Sequence, residues 1–230
     1  VGLAGVMIAV PIFAAVSLAT AENKLNEVQA ALDIGEGAVV DALEAVSSTT
    51  VPPSTSLAPD DSAPPTTLPA APHYDVFALG DSVMKGAAVQ LAELGVVVDA
   101  EQDRQGKMGA DILLQLKDLG VTMDNVVIHL GTNGSMSQET LDRMMSALTE
   151  VPTVVILTGK ARRDWTAPNN DKIRLLPQRY PNVIVLDWER EVEACVGECL
   201  TRDGIHLDKD GRVFYAQLIW KALGKTLPAA

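Results

Sequence analysis

Four short stretches of this 230-residue chain hold residue types suited to nucleophilic acyl transfer. Gly80-Asp81-Ser82-Val83 comes directly after the apolar run Asp75–Leu79. A serine at a strand-to-helix turn stands at the rim of a sheet, where its Oγ can meet a substrate and its own N–H can point at a developing oxyanion. Taken alone, the tripeptide is weak evidence, because a turn or N-cap serine is common. Asp203-Gly204-Ile205-His206 sets a carboxylate three residues before an imidazole. On one turn of chain the Asp can accept from one ring nitrogen and fix the tautomer, leaving the other nitrogen to take the Ser82 proton and return it. Gly131-Thr132-Asn133-Gly134 offers an amide donor to the same oxyanion, or else a Gly/Asn turn that serves geometry only. Between Arg104 and Asp111 stand Gly106 and Gly109. Either could lend a backbone N–H. Gly109, just before the expected helix, is preferred, against the competing reading of a structural turn glycine.

These residues need a frame, and the chain from Tyr74 onward supplies one. Apolar, β-branched runs at Asp75–Leu79, Val96–Ala100, Asn125–Leu130, Thr153–Thr158 and Asn182–Asp187 read as strands, several of them buried on both faces. Helices are expected near 85–94, 109–119, 137–148, 169–179 and 209–223, with Gly95 and Gly120 placed as C-terminal caps. The alternation predicts an α/β domain over 73–230, with a five-stranded parallel sheet and helices on both faces. In such sheets chemistry sits beyond the carboxyl ends of the strands. Ser82, the Gly109 stretch and Asn133 each follow a strand, and His206 leads into the last helix.

The remainder of the chain has a different texture. Residues 1–21 carry no charge and, as a helix, would reach about 31 Å, the thickness of a bilayer core. They read as a transmembrane helix or, given Ala19-Thr20-Ala21, as a secretory signal peptide. Both readings put the later residues outside the cytoplasm. Residues 22–45 partly follow helical spacing, weakened by Gly35 and Gly37. Residues 47–72 are rich in Ser, Thr and Pro and poor in large apolar groups, which suits a disordered, semi-stiff stalk or linker. A net charge of -12 argues against a nucleic-acid partner. Three His and two Cys fall into no metal-ligand spacing.

The order of the Ser block, the Gly block, Gly-x-Asn and Asp-x-x-His resembles the SGNH (GDSL-like) hydrolase superfamily over residues 74–223. The resemblance implies a three-layer α/β/α fold of flavodoxin-like type. It implies Ser82 as nucleophile, His206 as base and Asp203 as orienting acid. It also implies an oxyanion hole of Ser82 N–H, Gly109 N–H and the Asn133 amide, with no metal or organic cofactor. Val83 stands where esterases of this kind have Leu, and Gly134 where many members have Asp. ALGDSVMKGA, HLGTNG, WTAPNN and DGIHL are most similar to the external domains appended to membrane-bound acyltransferases of family three, including peptidoglycan O-acetyltransferase-like proteins. On that resemblance residues 1–21 are the last of several membrane helices, and the upstream membrane part supplies an acyl donor. Ser82 then carries the acyl group to a glycan hydroxyl on the cell wall or surface. An esterase with the same triad and a non-catalytic glycan-binding module are the alternatives.

Further side chains stand near these blocks. Trp165, Asn169 and Asn170 follow the fourth strand. Trp165 could form an apolar or sugar-stacking wall and an Asn could bind a glycan hydroxyl, or the segment is a plain surface loop. His129, inside an apolar run, reads as a hydrogen-bonded core histidine. Asp81 reads as bracing the Ser82 loop, and His73 has no assigned role. Cys195 and Cys199 would form a disulfide in an exported protein, stiffening the segment that presents Asp203 and His206, and would be free thiols in a cytosolic one.

Overall fold

The computed structural model of the protein describes residues 71–228. The apolar segment 1–21 and the Ser/Thr/Pro-rich stretch up to residue 70 lie outside the described residues. Among the described residues no helix is long and apolar enough to cross a membrane.

Five strands form one sheet: β1 (His73–Gly80), β2 (Val97–Ala100), β3 (Thr122–His129), β4 (Thr153–Leu157) and β5 (Val183–Leu186). Every pairing is parallel and the order is β2-β1-β3-β4-β5. Among the described residues, seven α-helices connect and cover the strands: α1 (Ser82–Lys85), α2 (Ala88–Glu93), α3 (Gly106–Asp118), α4 (Gln138–Ala147), α5 (Thr166–Leu175), α6 (Trp188–Glu191) and α7 (Lys209–Ala222).

The strand alternation divides the core in two. Phe77 and Leu79 of β1, Val126 and Ile128 of β3, and Val154 and Ile156 of β4 pack on one face. They meet Leu113 of α3, Leu141 and Met144 of α4, and Ile173 of α5. Val76, Ala78, Val127, Val155 and Leu157 point to the other face, against Leu91 of α2, Trp188 of α6, and Tyr215 and Ile219 of α7. Successive side chains of a strand point to opposite faces, so a continuously apolar run such as Val154–Leu157 in β4 buries both sides at once. Each fully buried Val, Leu or Ile contributes about 1.5–3 kcal/mol of burial. The result is the three-layer α/β/α arrangement expected from the alternation.

The helix expected over 85–94 is two helices. Gly86 N–H donates to Ser82 O at 3.1 Å and Ala87 N–H to Met84 O at 2.9 Å, closing α1 after one turn before α2 begins. This short first helix sets Ser82 at its first position. The helix expected from 109 begins at Gly106, and the one expected from 169 begins at Thr166, with Pro168 tolerated in its first turn. The sequence pattern does not announce α6, since four residues are too few to show a helical period. Gly95 and Gly120 take positive φ (83° and 74°) just beyond α2 and α3, as C-terminal caps require. Between β1 and β3 the chain order reverses direction across the sheet, which opens a crevice at their carboxyl ends.

Candidate active site

Ser82 comes just beyond the end of β1. Asp81 caps α1 through Oδ1, which accepts from Val83 N–H at 3.0 Å, and Asp81 N–H donates to His129 O at the end of β3. Ser82 N–H, at the first position of α1, has no acceptor within its own helix. Across the crevice, residues 200–207 form a small hairpin. Leu200 bridges Leu207, Thr201 N–H donates to His206 O at 2.9 Å, and Asp203, Gly204 and Ile205 make its tip.

This hairpin brings His206 Nε2 to 2.9 Å from Ser82 Oγ, and Nδ1 to 2.6 Å from Asp203 Oδ2. With Asp203 accepting from Nδ1–H, Nε2 is left to accept the Ser82 hydroxyl proton. Asp203 Oδ1 is itself held by Thr201 Oγ1, Ile205 N–H and His206 N–H at 2.7, 2.8 and 3.1 Å. Partial burial pushes the Asp203 pKa up. The hydrogen bonds from Thr201, His206 and the backbone outweigh it and hold the carboxyl well below its usual range.

A disulfide joins Cys195 to Cys199 immediately before the hairpin. Its loop is docked on the start of α7. Asp208 N–H donates to Cys199 O at 3.0 Å, Asp210 N–H to Glu198 O at 3.2 Å, and Asp210 Oδ2 accepts from Glu198 N–H. A side chain at Gly211 would collide with Cys199 O, so only glycine permits this docking. The first turn of α7 thus finds acceptors in the disulfide loop, which anchors both ends of the His206 hairpin.

Asn133 lies half-buried in the same cleft as Ser82, its Nδ2 donating at 3.4 Å to Arg104 O. The sequence pattern assigns Arg104 no role. Its buried guanidinium donates to Gly80 O at 3.3 Å, Asp99 O at 2.7 Å and the Asp99 carboxylate, tying the ends of β1 and β2 together. A lone Arg after a strand carries no signal of this.

Three expectations are corrected. Gly109 is inside α3, not before it, and its N–H donates to Gln105 O at 3.2 Å. A Cβ there would collide with Leu130 Cδ1, so Gly109 serves close helix–sheet packing. Gly106, at the first position of α3, has the N–H without a helical acceptor. Asn169 is buried with its amide committed: Nδ2 donates to Gly131 O and Gly134 O at 3.2 and 2.9 Å, and Oδ1 accepts from Met136 N–H at 2.8 Å. It holds the Asn133 loop rather than a ligand. Asn170 is likewise buried and pairs twice with the backbone of Gly159, at 2.8 Å each. Trp165 does reach the site, donating from Nε1 to Thr132 O at 3.2 Å.

The cleft measures about 520 Å³ and is lined by Ser82, Asn133, Trp165 and His206 together with Gln102, Asp103, Gln105, Thr132, Arg163 and Ile205. Asp81, next to Ser82, is wholly buried, and burial raises its pKa to about 6, against the Val83 and Thr132 hydrogen bonds and the His206 charge that pull it down. His129 is buried as expected, with Nδ1 2.8 Å from Tyr215 Oη, and burial lowers its pKa to about 3. His73 is exposed at the start of β1, beside Thr122. Among the described residues no group of three or more His, Cys, Asp or Glu could hold a metal ion.

No family model matches the chain. It is 26% identical over 150 residues to peptidoglycan O-acetyltransferase OatA of Listeria monocytogenes, covering 64% of this chain and 24% of that protein. It is also 26% identical over 152 residues to the O-acetyltransferase OatA of Staphylococcus aureus, covering 63% and 24%. The matched region is thus about a quarter of the length of these curated relatives. Among solved structures, the C-terminal catalytic domain of Streptococcus pneumoniae OatA, bearing a methylsulfonyl adduct, aligns with a TM-score of 0.58 at 20% identity over 67% of this chain and 94% of that one. A member of the lipolytic G-D-S-L family from Veillonella parvula aligns with a TM-score of 0.53 at 14% identity over 66% and 100%. In sequence the chain is thus similar to part of peptidoglycan O-acetyltransferases, and in fold it is similar to the OatA C-terminal catalytic domain and to a member of the G-D-S-L family.

Proposed function

We propose that the chain is a serine O-acyltransferase acting outside the cytoplasm, which carries an acetyl group through Ser82 to a hydroxyl of a cell-wall glycan. The observation that carries this reading is the chain of contacts from Ser82 Oγ to His206 Nε2 to Asp203, at 2.9 and 2.6 Å, beside the cleft. Ser82 Oγ attacks the acyl carbonyl as its proton passes to Nε2. The oxyanion is met by the N–H of Ser82, the N–H of Gly106 and the Asn133 amide. Collapse expels the donor's leaving group with the proton from Nε2 and leaves acyl-Ser82. The acceptor hydroxyl then gives its proton to Nε2, attacks the acyl carbon, and departs as the new ester while Ser82 regains its proton. Asp203 stays ionised and steadies the imidazolium. No step calls for a metal or organic cofactor.

The disulfide supports an oxidising, external compartment. Residues 1–21 serve as membrane anchor or signal peptide on this reading, and an upstream membrane part would deliver the acyl donor. A second reading, hydrolysis of a carbohydrate ester, is favoured by the 36% exposure of the His206 side chain, which leaves water access to the same acyl-Ser. Incubation with a small activated acetyl ester and a peptidoglycan-derived oligosaccharide separates them. Acetylated oligosaccharide formed in excess over free acetate, and absent with Ser82→Ala, is the expected result. Acetate alone makes the protein an esterase, and neither product leaves a glycan-binding module.

A further inference from the structure

The cleft is electrically polarised. From the loop between β4 and α5 it is lined by Arg163 and Trp165. From the segment between β2 and α3 it is lined by Gln102, Asp103 and Gln105. The Arg163 guanidinium is exposed and makes no hydrogen bond or ion pair with any described residue, although the chain's formal charge is -12. Asp103 is the non-glycine residue of positive φ among the described residues, at 60°, and its carboxylate too is unpaired among them. The two opposite charges thus line one cleft without neutralising each other. The remaining titratable group in the lining is His206. Of the other guanidiniums among the described residues, Arg143 pairs with Asp111 and Arg179 with Asp142, each at 2.6 Å, while the exposed Arg162 and Arg202 are also unpaired but do not line this cleft. An unpaired guanidinium in a cleft presents a planar fork of donors that fits a carboxylate, and the Asp103 carboxylate repels the same group.

Building on the acyl-transfer reading, we propose that Arg163 forms an anion subsite, so that the acceptor is a carboxylate-bearing glycan. Its carboxylate lies on the Arg163 and Trp165 side, turned away from Asp103. A sugar ring against Trp165 would then present a hydroxyl toward Ser82 in one orientation rather than two. The carboxylate could belong to the sugar itself or to a peptide attached to it, since both offer the same pair of oxygens.

Direct binding to the 230-residue chain carrying Ser82→Ala tests this without any turnover. Three probes are compared by calorimetry: a peptidoglycan-derived disaccharide with a free sugar carboxylate, the same disaccharide with that group converted to its methyl amide, and a disaccharide whose only free carboxylates lie on an attached peptide. The expected result is about three- to tenfold tighter binding of one carboxylate probe than of the amide. Which carboxylate probe wins identifies the source. Arg163→Ala, which breaks no side-chain hydrogen bond or ion pair among the described residues, should erase that ratio, while Arg162→Ala, which removes the same charge one residue away, should keep it. Equal affinity for all three probes, binding of none, or a ratio that survives Arg163→Ala would overturn the subsite. Turnover of an activated acetyl ester by the chain with Ser82 intact scores the nucleophile separately.

Discussion

The two sides of the cleft are held by different means. The Ser82 and Asn133 side rests on the sheet and is fixed by buried polar groups: Asp81 in the serine turn, Arg104 across the ends of β1 and β2, and Asn169 inside the Asn133 loop. The His206 side is a surface hairpin, fixed by its own short hydrogen bonds and by the disulfide loop seated on α7. Stabilisation of charge demands donors that do not move, whereas proton transfer needs a ring that can meet both the serine and a leaving group. On the proposed mechanism, the Ser82 and Asn133 side should therefore fail through folding as well as chemistry, and the His206 side mainly through chemistry.

The largest effect should come on the base side. Asp203→Asn should lower kcat by up to about 10⁴-fold through the wrong imidazole tautomer, with little change in melting temperature, read from initial rates and a thermal melt. On the opposite side, Asn133→Ala should cost about 10²–10³ in kcat by removing one oxyanion donor, with KM for a small ester nearly unchanged. Asn169→Leu, by contrast, should act on stability. It leaves Met136 N–H and two carbonyls unpaired, for a loss of about 1–3 kcal/mol in denaturant unfolding.

The same contrast extends to pH. The folded pKa of Asp81, about 6, exceeds the usual 3.8, so the folded state binds the proton more tightly than the unfolded chain. Its contribution is free of penalty below about pH 4, becomes unfavourable as pH rises toward 6, and stays so above, by about 3 kcal/mol. Asp203 works in the opposite sense: its pKa is depressed, so its stabilisation is present above the unfolded value and lost as pH falls. Asp81→Asn keeps an oxygen for Val83 N–H. Relative to the unmodified chain, it should therefore gain stability between about pH 4 and 7, measured by paired denaturant curves. The smallest effect should be reduction of Cys195–Cys199, which closes a short loop. A few-fold fall in kcat is expected, with the sheet intact by circular dichroism.

Much of this architecture is legible in the sequence for a physical reason. Strands buried on both faces write themselves as apolar runs, so β1, β3 and β4 stand out, and with them the rim where Ser82 and Asn133 lie. Asp203 and His206 are three residues apart, so their pairing is local and shows in spacing alone. The parts that stay hidden depend on contacts distant in sequence. Asn169 meets Gly134 across 35 residues, and Arg104 reaches Gly80 across 24, so nothing near Asn169 says whether its amide faces a ligand or a loop. Gly109 is misplaced by the sequence pattern because α3 starts three residues earlier than its apolar spacing suggests, and the first-turn N–H without an acceptor moves with it to Gly106.

Everything proposed for the site depends on acylation of Ser82. Intact-mass measurement of the protein after brief exposure to a small activated acetyl ester, with Ser82→Ala beside it, tests this most directly. The predicted result is an acetyl adduct that maps to Ser82, or Ser82-dependent turnover too fast to trap it. Equal acetylation and equal turnover in Ser82→Ala would contradict it.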